Sequence, residues 1–201
     1  MIEIYYAAPS IYGRKILAVL EEKSLDYEIK KLPPEGGGRP DEENLKLDIR
    51  GGVPTLVDEG FIVYESTAIA EYLNDEYPYP PLLPEDSQTR ALARMIDGYC
   101  EFRFYPDIME GHAQKSQSAA DVSVETKGAL AAHLKKIEDY LGRKEYPVGV
   151  FSIADCSLMP VFASLEALTL ENELVASQPL KEYRDRLKTH KGYKGASIFS
   201  N

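Results

Sequence analysis

The segment GGVPTLVDEGFIVYESTAIAEYL, residues 51–73, contains residue types from which a ligand site could be built. Its proline, Pro54, stands directly before an apolar run typical of a buried strand, and an X-Pro bond is the one peptide bond for which the cis form is cheap. A cis bond between Val53 and Pro54 would leave the backbone N–H and C=O of Val53 facing outward, where an extended peptide could bind them as an added strand. The alternative is a trans proline that merely begins a strand.

Short strands and helices alternate through the chain up to this segment and within it. The spacing of apolar residues predicts strands at 2–6, 27–29, 55–57 and 61–64, with Gly60 placed for a hairpin turn between the last two. The same spacing predicts a helix over about 11–23, which Ser10 precedes, and a later helix that Ser66 caps. The order is βαβ followed by ββα, which favours a mixed sheet with helices packed against it.

The chain changes character near residue 78. The stretch YPYPPLLPED, residues 77–86, contains prolines that remove backbone donors and fix φ, so neither a helix nor a strand is expected to run through it. Nearly every later periodic segment predicts a helix. We therefore predict a first domain at 1–77, a linker at 78–86 and an all-helical second domain at 87–201.

The helices expected in the second domain cover about 89–109, with a break or bend near Pro106, then 124–141, a segment after Ser152, and 180–187. Ser152 and Asp155 have the spacing of a capping box, in which the hydroxyl caps a helix N–H and the acid returns a bond to the backbone. This pair is therefore assigned a structural role.

Composition limits the function classes. The formal net charge of −10 argues against nucleic-acid binding, because phosphate recognition needs a clustered basic surface. No apolar run is long enough to cross a bilayer and no signal segment is recognisable, so we expect a soluble, cytoplasmic protein without membrane contact. Cys100 and Cys156 form neither a redox pair nor a disulfide framework, and no cluster has metal-ligand spacing, so no metal is expected.

Four segments together resemble cytosolic glutathione S-transferases. They are residues 51–73, the stretch SIYGRKILAVLEEKSLDYE at 10–28, the stretch PLLPEDSQTRALAR at 81–94 and the stretch FSIADCSLMP at 151–160, and they stand in the family's order. The resemblance implies an α/β plus all-α protein, in which a thioredoxin-like N-terminal domain is followed by a C-terminal helical bundle. It also implies glutathione as co-substrate.

The resemblance assigns glutathione contacts to the first domain. In the family, the cis-proline loop pairs with the main chain of the glutathione cysteine, which corresponds to Val53 with Pro54 holding the loop. The acid and serine that hold the γ-glutamyl end correspond to Glu65 and Ser66. A carboxylate can pair with the γ-glutamyl ammonium, while a hydroxyl and the free N–H groups of a helix start can bind its carboxylate. The candidates for the glycine carboxylate are Lys46, Arg50 and Arg39, in no fixed order.

Catalysis in the family needs a donor that stabilises the glutathione thiolate, because a free thiol is mostly protonated at neutral pH. Ser10 stands where family members carry serine or cysteine, and Tyr6 and Tyr5 stand near the place where other classes carry tyrosine. Ser10 could instead be only a helix cap. No cysteine precedes residue 100, which excludes thiol transfer through a mixed disulfide, and the Ser-Ser-Cys run of the maleylacetoacetate isomerase branch is absent.

The electrophile is expected between the two domains. Aromatic and apolar side chains on the first helix and on the helix after the linker could line its pocket, or they could be core or dimer contacts: they are Tyr12, Tyr99, Phe102, Tyr105 and Met109. The histidines stand in no motif and are expected at surface or helix positions: they are His112, His133 and His190.

Two functions follow from these expectations. The first is a glutathione transferase that conjugates glutathione to an electrophilic small molecule. The alternative is a non-catalytic partner-binding protein on the same fold, similar to elongation factor gamma or to the stringent starvation proteins that bind RNA polymerase. The resemblance also implies a homodimer, in which the first domain of one subunit meets the helices of the other.

Overall fold

The computed structural model describes residues 1–32, 52–117 and 122–198. Its first part contains a four-stranded sheet with the strand order β2-β1-β3-β4. In chain order the elements are β1 (Ile2–Tyr6), α1 (Ile11–Glu22), β2 (Tyr27–Lys31), β3 (Thr55–Asp58), β4 (Phe61–Tyr64) and α2 (Ser66–Glu76). The predicted βαβ, ββα order is confirmed.

The sheet is mixed, as the element order predicts. β1 pairs in parallel with β2, with Ile4 opposite Ile29, and antiparallel with β3, with Ile4 opposite Leu56. Ile4 and Leu56 are fully buried. Because side chains alternate between the two faces of a strand, this register places the apolar face of β1 in the core.

The second part is helical. Its elements are α3 (Ser87–Tyr99), a π-helical turn (Cys100–Phe104), α4 (Tyr105–Gln117), α5 (Val124–Leu141), α6 (Ile153–Ala167), α7 (Glu171–Leu174), α8 (Gln178–Thr189) and α9 (Gly192–Ala196). The short helices α7 and α9 were not anticipated. None of the described helices has the length and apolar character required to cross a membrane.

The expected bend near Pro106 takes the form of the π-helical turn that joins α3 to α4. The backbone N–H of Tyr105 donates to the carbonyl of Cys100, five residues earlier, so the helix is widened by one residue. Pro106 follows at once and has no N–H to donate, and its ring would crowd the carbonyl four residues earlier. The irregularity therefore lies just before the proline, and the helical path continues beyond it.

The helix α1 is the central packing element because it lies between the sheet and the helices α6 and α9. The glycines of α9 make this approach possible. A Cβ atom on Gly195 would lie 2.6 Å from the backbone carbonyl of Leu17, and one on Gly192 would lie 2.7 Å from that of Ala18. The chain therefore needs glycine where α9 crosses α1.

The predicted capping box is confirmed at the start of α6. The backbone N–H of Ser152 donates to Asp155 Oδ2 at 2.8 Å, and the Ser152 hydroxyl caps the first turn. The Tyr183 hydroxyl, which the sequence did not indicate, donates to Asp155 Oδ1 at 2.6 Å. Burial raises the pKa of Asp155 to about 7. The box thus joins α6 to α8 in the interior.

The prediction that Ser66 caps the following helix was wrong by one position. Glu65 is the N-cap of α2, and Ser66 is its first helical residue. Glu65 has φ of 72°, a left-handed conformation that a non-glycine residue rarely adopts. Such strained conformations cluster at functional sites, which draws attention to this position.

Candidate active site

The Val53-Pro54 peptide bond is cis, as predicted. Pro54 is buried and Val53 is half-buried at the turn into β3. The loop is further held by Thr55, whose hydroxyl donates to the carbonyl of Gly52 at 3.3 Å. This is the backbone geometry in which an extended ligand could pair with Val53 as an added strand.

Glu65 and Ser66 differ in their surroundings. Glu65 is exposed at the N-terminus of α2, where a carboxylate can meet an incoming ammonium group. Ser66 is 1% exposed, and its hydroxyl lies 2.6 and 2.8 Å from the two carboxylate oxygens of Glu101, to which it donates. Its hydroxyl therefore already contacts a carboxylate of the second part of the chain.

Glu101 belongs to a buried polar cluster that joins α1, α2, α3 and the π-helical turn. Lys15 Nζ lies 2.5 Å from Asp97 Oδ1 and 3.1 Å from Glu101 Oε2, and it is fully buried. Burial alone would lower the pKa of Lys15, but the charges of Asp97 and Glu101 raise it above its ordinary value. Thr67 completes the cluster, since it donates to Asp97 Oδ2 at 2.9 Å.

Ser10 is the N-cap of α1, and its Oγ accepts a hydrogen bond from the Gly13 N–H at 3.4 Å. Because Oγ is the acceptor in that bond, the hydroxyl proton can be donated to another group. Ser10 also lines a cavity of 510 Å³ between the start of α1 and the helix α4. The lining comprises Ala7, Ala8, Pro9, Ser10, Ile11, Arg14, Ile108, Met109, His112 and Ala113.

Arg14 lies one helical turn after Ser10 and is fully buried. Its guanidinium donates to the Ala196 carbonyl at 3.0 Å and to the Ser164 hydroxyl at 2.7 Å. These two acceptors are neutral, and the bonds hold the side chain in place. Burial lowers the pKa of Arg14 to about 10, which leaves it cationic at neutral pH. Arg14 therefore adds positive potential beside Ser10 and does not decorate the helix surface.

His112 is the site residue that sequence reasoning missed. It was expected at a surface or helix position without a role, yet it is half-buried on α4 and lines the cavity together with Ser10. Burial, helped by the charges of Arg14 and Lys115, lowers the pKa of His112 to about 4, so its imidazole is neutral at pH 7. No local motif signalled it, because its neighbours in the cavity come from a distant part of the sequence.

The structure places the two tyrosine alternatives away from the cavity. Tyr6 is 2% exposed, and its hydroxyl donates to the carbonyl of Ile198 at 3.0 Å. Burial raises the pKa of Tyr6 to about 12, which disfavours proton donation further. Tyr5 lies on the other face of β1, and its hydroxyl donates to Glu3 at 3.3 Å. Among Ser10, Tyr6 and Tyr5, only Ser10 lines the cavity.

The four aromatic residues proposed for the electrophile pocket do not line the cavity either. Tyr105 is fully buried and donates to the carbonyl of Ser157 at 2.7 Å, and the ring of Tyr12 packs against it edge-on with centroids 5.3 Å apart. Tyr99 contacts His133 Nδ1 through its hydroxyl at 2.5 Å. Phe102 is 76% exposed. Met109 alone of the expected pocket residues contributes to the cavity.

The remaining candidates add little to the site. The residues considered for the glycine carboxylate of glutathione, Lys46, Arg50 and Arg39, lie outside the described residues. Cys100 and Cys156 are buried, and burial raises the pKa of both thiols, so they are core residues without reactivity. Within residues 1–32, 52–117 and 122–198, no group of side chains could hold a metal ion.

Comparisons with known proteins agree with this fold. Residues 4–81 match the family model described as glutathione S-transferase, N-terminal domain. A delta-class glutathione transferase of Nilaparvata lugens superimposes with a TM-score of 0.85 at 25% identity, over 99% of this chain and 96% of that one. The fold is therefore that of the glutathione transferases.

Two relatives in the sequence comparison support the assignment of the chain to a family. Maleylacetoacetate isomerase of Mus musculus is 34% identical over 164 residues, which cover 78% of this chain and 74% of the relative. A stringent starvation protein A homolog of Coxiella burnetii is 26% identical over 196 residues, which cover 95% of this chain and 89% of the relative. The chain belongs to the cytosolic glutathione S-transferase family.

Proposed function

We propose that this protein is a cytoplasmic glutathione transferase, which binds glutathione and stabilises its thiolate for attack on an electrophilic small molecule. The observation that carries the proposal is the position of Ser10, a helix-capping hydroxyl that opens into a cavity of 510 Å³ between the two parts of the chain. A cavity of this size and largely apolar lining suits a small organic substrate.

Glutathione binding is proposed to use the cis-proline loop and the start of α2. Val53 offers backbone groups to the cysteinyl residue of glutathione, and Pro54 holds the loop that presents them. Glu65 lies exposed at the helix start, where its carboxylate can pair with the γ-glutamyl ammonium. The N–H groups of the first turn of α2 suit the γ-glutamyl carboxylate.

Ser66 is proposed to bind the same carboxylate, and its bond to Glu101 shows what that requires. The hydroxyl has one proton, which the structure commits to Glu101. A bound γ-glutamyl carboxylate would accept this hydrogen bond in place of Glu101, or would share the hydroxyl proton with Glu101. Lys15 contacts the same Glu101 oxygen, Oε2, at 3.1 Å and offsets its charge, which lowers the cost of that exchange.

Ser10 is proposed as the catalytic residue of the transfer. Its hydroxyl donates a hydrogen bond to the glutathione sulfur, and the start of α1 and the charge of Arg14 favour the anion further. The thiolate then attacks an electrophilic carbon in the cavity, and a carbon–sulfur bond forms as the leaving group departs or the carbon–carbon double bond opens. With only buried cysteines among the described residues, no thiol is available there for a mixed disulfide.

A second candidate is a partner-binding protein on the same fold. The similarity to stringent starvation protein A homologs, which extends over 95% of this chain, favours it. So does the engagement of the Ser66 hydroxyl inside the molecule, since a docking protein has no need to keep that group for a ligand. The exposure and left-handed backbone conformation of Glu65 favour the enzyme, as does the cavity beside Ser10.

Calorimetric titration with glutathione, followed by conjugation assays, separates the two candidates. We expect the wild-type protein to bind glutathione and Glu65→Ala to bind it at least about tenfold more weakly, because a charge-assisted contact is lost. Glu85→Ala, which removes an exposed carboxylate between α2 and α3, is the matched control and should bind normally. Absence of binding to the wild-type protein would leave the docking function as the better explanation.

Ser10→Ala tests the chemical step separately. We expect kcat for conjugation to fall by about 100-fold to 1000-fold, the typical cost of removing one donor to a developing or stabilised anion, while the Kd of glutathione stays nearly constant. In a pH titration, the ultraviolet absorbance of the bound thiolate should appear at higher pH in the variant than in the wild-type protein. A normal rate in Ser10→Ala would remove the catalytic assignment and leave the binding assignment intact.

A further inference from the structure

The buried hydroxyl of Ser66 is already bound to a carboxylate within the molecule. It donates to the two oxygens of Glu101, which lie 2.6 and 2.8 Å away. Both residues are buried, so water competes little for this contact. A carboxylate is also the group that Ser66 is proposed to bind in glutathione. Glu101 therefore occupies the acceptor position that a γ-glutamyl carboxylate would take.

Glu101 lies in the π-helical turn Cys100–Phe104, which joins α3 to α4. A π-helical turn widens a helix by one residue, and such turns are frequent at functional sites. The turn belongs to the helical part of the chain, whereas Ser66 is the first residue of α2 in the first part. The hydrogen bond between them thus places an acid of the second part beside the helix start that is proposed to receive the ligand.

The contacts of Lys15 use all the protons of its ammonium group. Its Nζ lies 2.5 Å from Asp97 Oδ1 and 3.1 Å from Glu101 Oε2, and it donates to the Thr67 hydroxyl at 3.1 Å. An ammonium group has three protons, one for each of these contacts. Two carboxylates therefore share one cation in this cluster. A third carboxylate, brought by a ligand to Ser66, would lie beside Glu101 as a like charge, and Lys15 could not compensate it without giving up a partner.

We infer that Glu101 is a specificity-determining residue, which competes with the α-carboxylate of a γ-glutamyl ligand for the hydroxyl of Ser66. This inference rests on the proposed function and deepens it. The ammonium of the ligand is proposed to pair with Glu65, which is exposed at the start of α2, and Glu101 does not oppose that contact. The site is therefore selective for the ammonium of the γ-glutamyl group, and the α-carboxylate adds little to the affinity while Glu101 is charged.

Calorimetric titration of the wild-type protein and Glu101→Gln with two ligands tests the inference. The ligands are glutathione and 4-aminobutyryl-cysteinylglycine, which keeps the terminal ammonium and lacks the α-carboxylate. We expect the wild-type Kd values of the two ligands to agree within about threefold. In Glu101→Gln the competing charge is lost, so the Kd of glutathione should fall by about tenfold, the scale of one hydrogen bond to a charged group. The Kd of the analogue should change by less than about threefold.

Glu85→Gln is the matched control, because it makes the same substitution at an exposed acid between α2 and α3 and should change neither Kd. Weaker binding of both ligands to Glu101→Gln would mean that Glu101 attracts the ammonium, which overturns the inference and leaves the proposed function standing. A wild-type protein that binds glutathione more than about tenfold more tightly than the analogue would overturn it without any variant. Absence of binding of either ligand to either protein would overturn both proposals.

Discussion

At the residue scale, Lys15 is the cation that compensates two buried carboxylates of the polar cluster. It is fully buried between Asp97 and Glu101, and Glu101 in turn holds the hydroxyl of Ser66. A buried cation of this kind need not increase stability relative to an apolar residue, since its desolvation is costly. Its effect is to supply a cation to two buried carboxylates at the junction of the site with the helices.

Lys15→Met should therefore be strongly destabilising. The substitution keeps the apolar volume but leaves two buried carboxylates without their cation, which costs about 3–5 kcal/mol in the free energy of unfolding. Urea denaturation followed by circular dichroism measures this difference. Lys30→Met is the matched control, because Lys30 pairs with Glu28 at the surface, and no measurable change is expected there. Equal stability of the two variants would contradict the importance of the cluster.

The sequence predicted part of the site at this scale. Val53 and Pro54 lie in a short contiguous motif, and the cis bond followed from the chemistry of the X-Pro bond. Ser10 was predicted from its place before a helix. His112 was missed because its relation to Ser10 depends on how α4 packs over α1, which no local spacing encodes. The aromatic residues were misplaced for the same reason, since Tyr105 faces the core and Phe102 faces outward.

At the scale of elements, the strands and the long helices could be predicted because their apolar periodicity is strong. The short helix α9 could not, because it has five residues and owes its existence to packing. Its position depends on Gly195, which allows the backbone of α9 to lie against Leu17 of α1. A single sequence does not show that the glycines of α9 lie against a helix from the other end of the chain.

Gly195→Ala should destabilise the protein even though alanine is the better helix former. Its Cβ would lie 2.6 Å from backbone atoms of Leu17, and backbone atoms cannot move aside as the tip of a flexible side chain can. We therefore expect the free energy of unfolding to fall by about 1–3 kcal/mol. Gly128 lies on the exposed side of α5, where an added Cβ would have no atom within 4 Å. Gly128→Ala should instead raise the free energy of unfolding by up to about 1 kcal/mol. Chemical denaturation of both variants gives the comparison, and the same sign in both would refute the packing argument.

At the scale of the whole molecule, the surface carries apolar groups that fit the proposed homodimer. The edge strand β4 exposes Phe61 by 59% and Tyr64 by 39%, and the helical part exposes Met95 by 61% and Phe102 by 76%. A sheet edge with large apolar side chains is a liability in a monomer. The two regions belong to the two parts of the chain that would meet across the interface of the expected homodimer.

Phe61→Asp should therefore shift the protein from dimer to monomer. A charge placed in an apolar interface is desolvated without a partner, and sedimentation velocity would detect the change in mass. Tyr79→Asp is the matched control, since Tyr79 is 83% exposed in the segment between α2 and α3 and should leave the dimer intact. A wild-type protein that sediments as a monomer at all concentrations would refute the proposed assembly.

The end of the described chain has a consequence for the autonomy of the first domain. The Tyr6 hydroxyl donates to the carbonyl of Ile198, and the guanidinium of Arg14 donates to that of Ala196. The end of α9 and the residues just after it therefore hold both β1 and α1. An excised fragment of residues 1–77 would expose the apolar underside of α1 and strand a buried guanidinium. The thioredoxin-like half is therefore not expected to fold on its own, because β1 and α1, which flank Ser10, are held by Ile198 and Ala196.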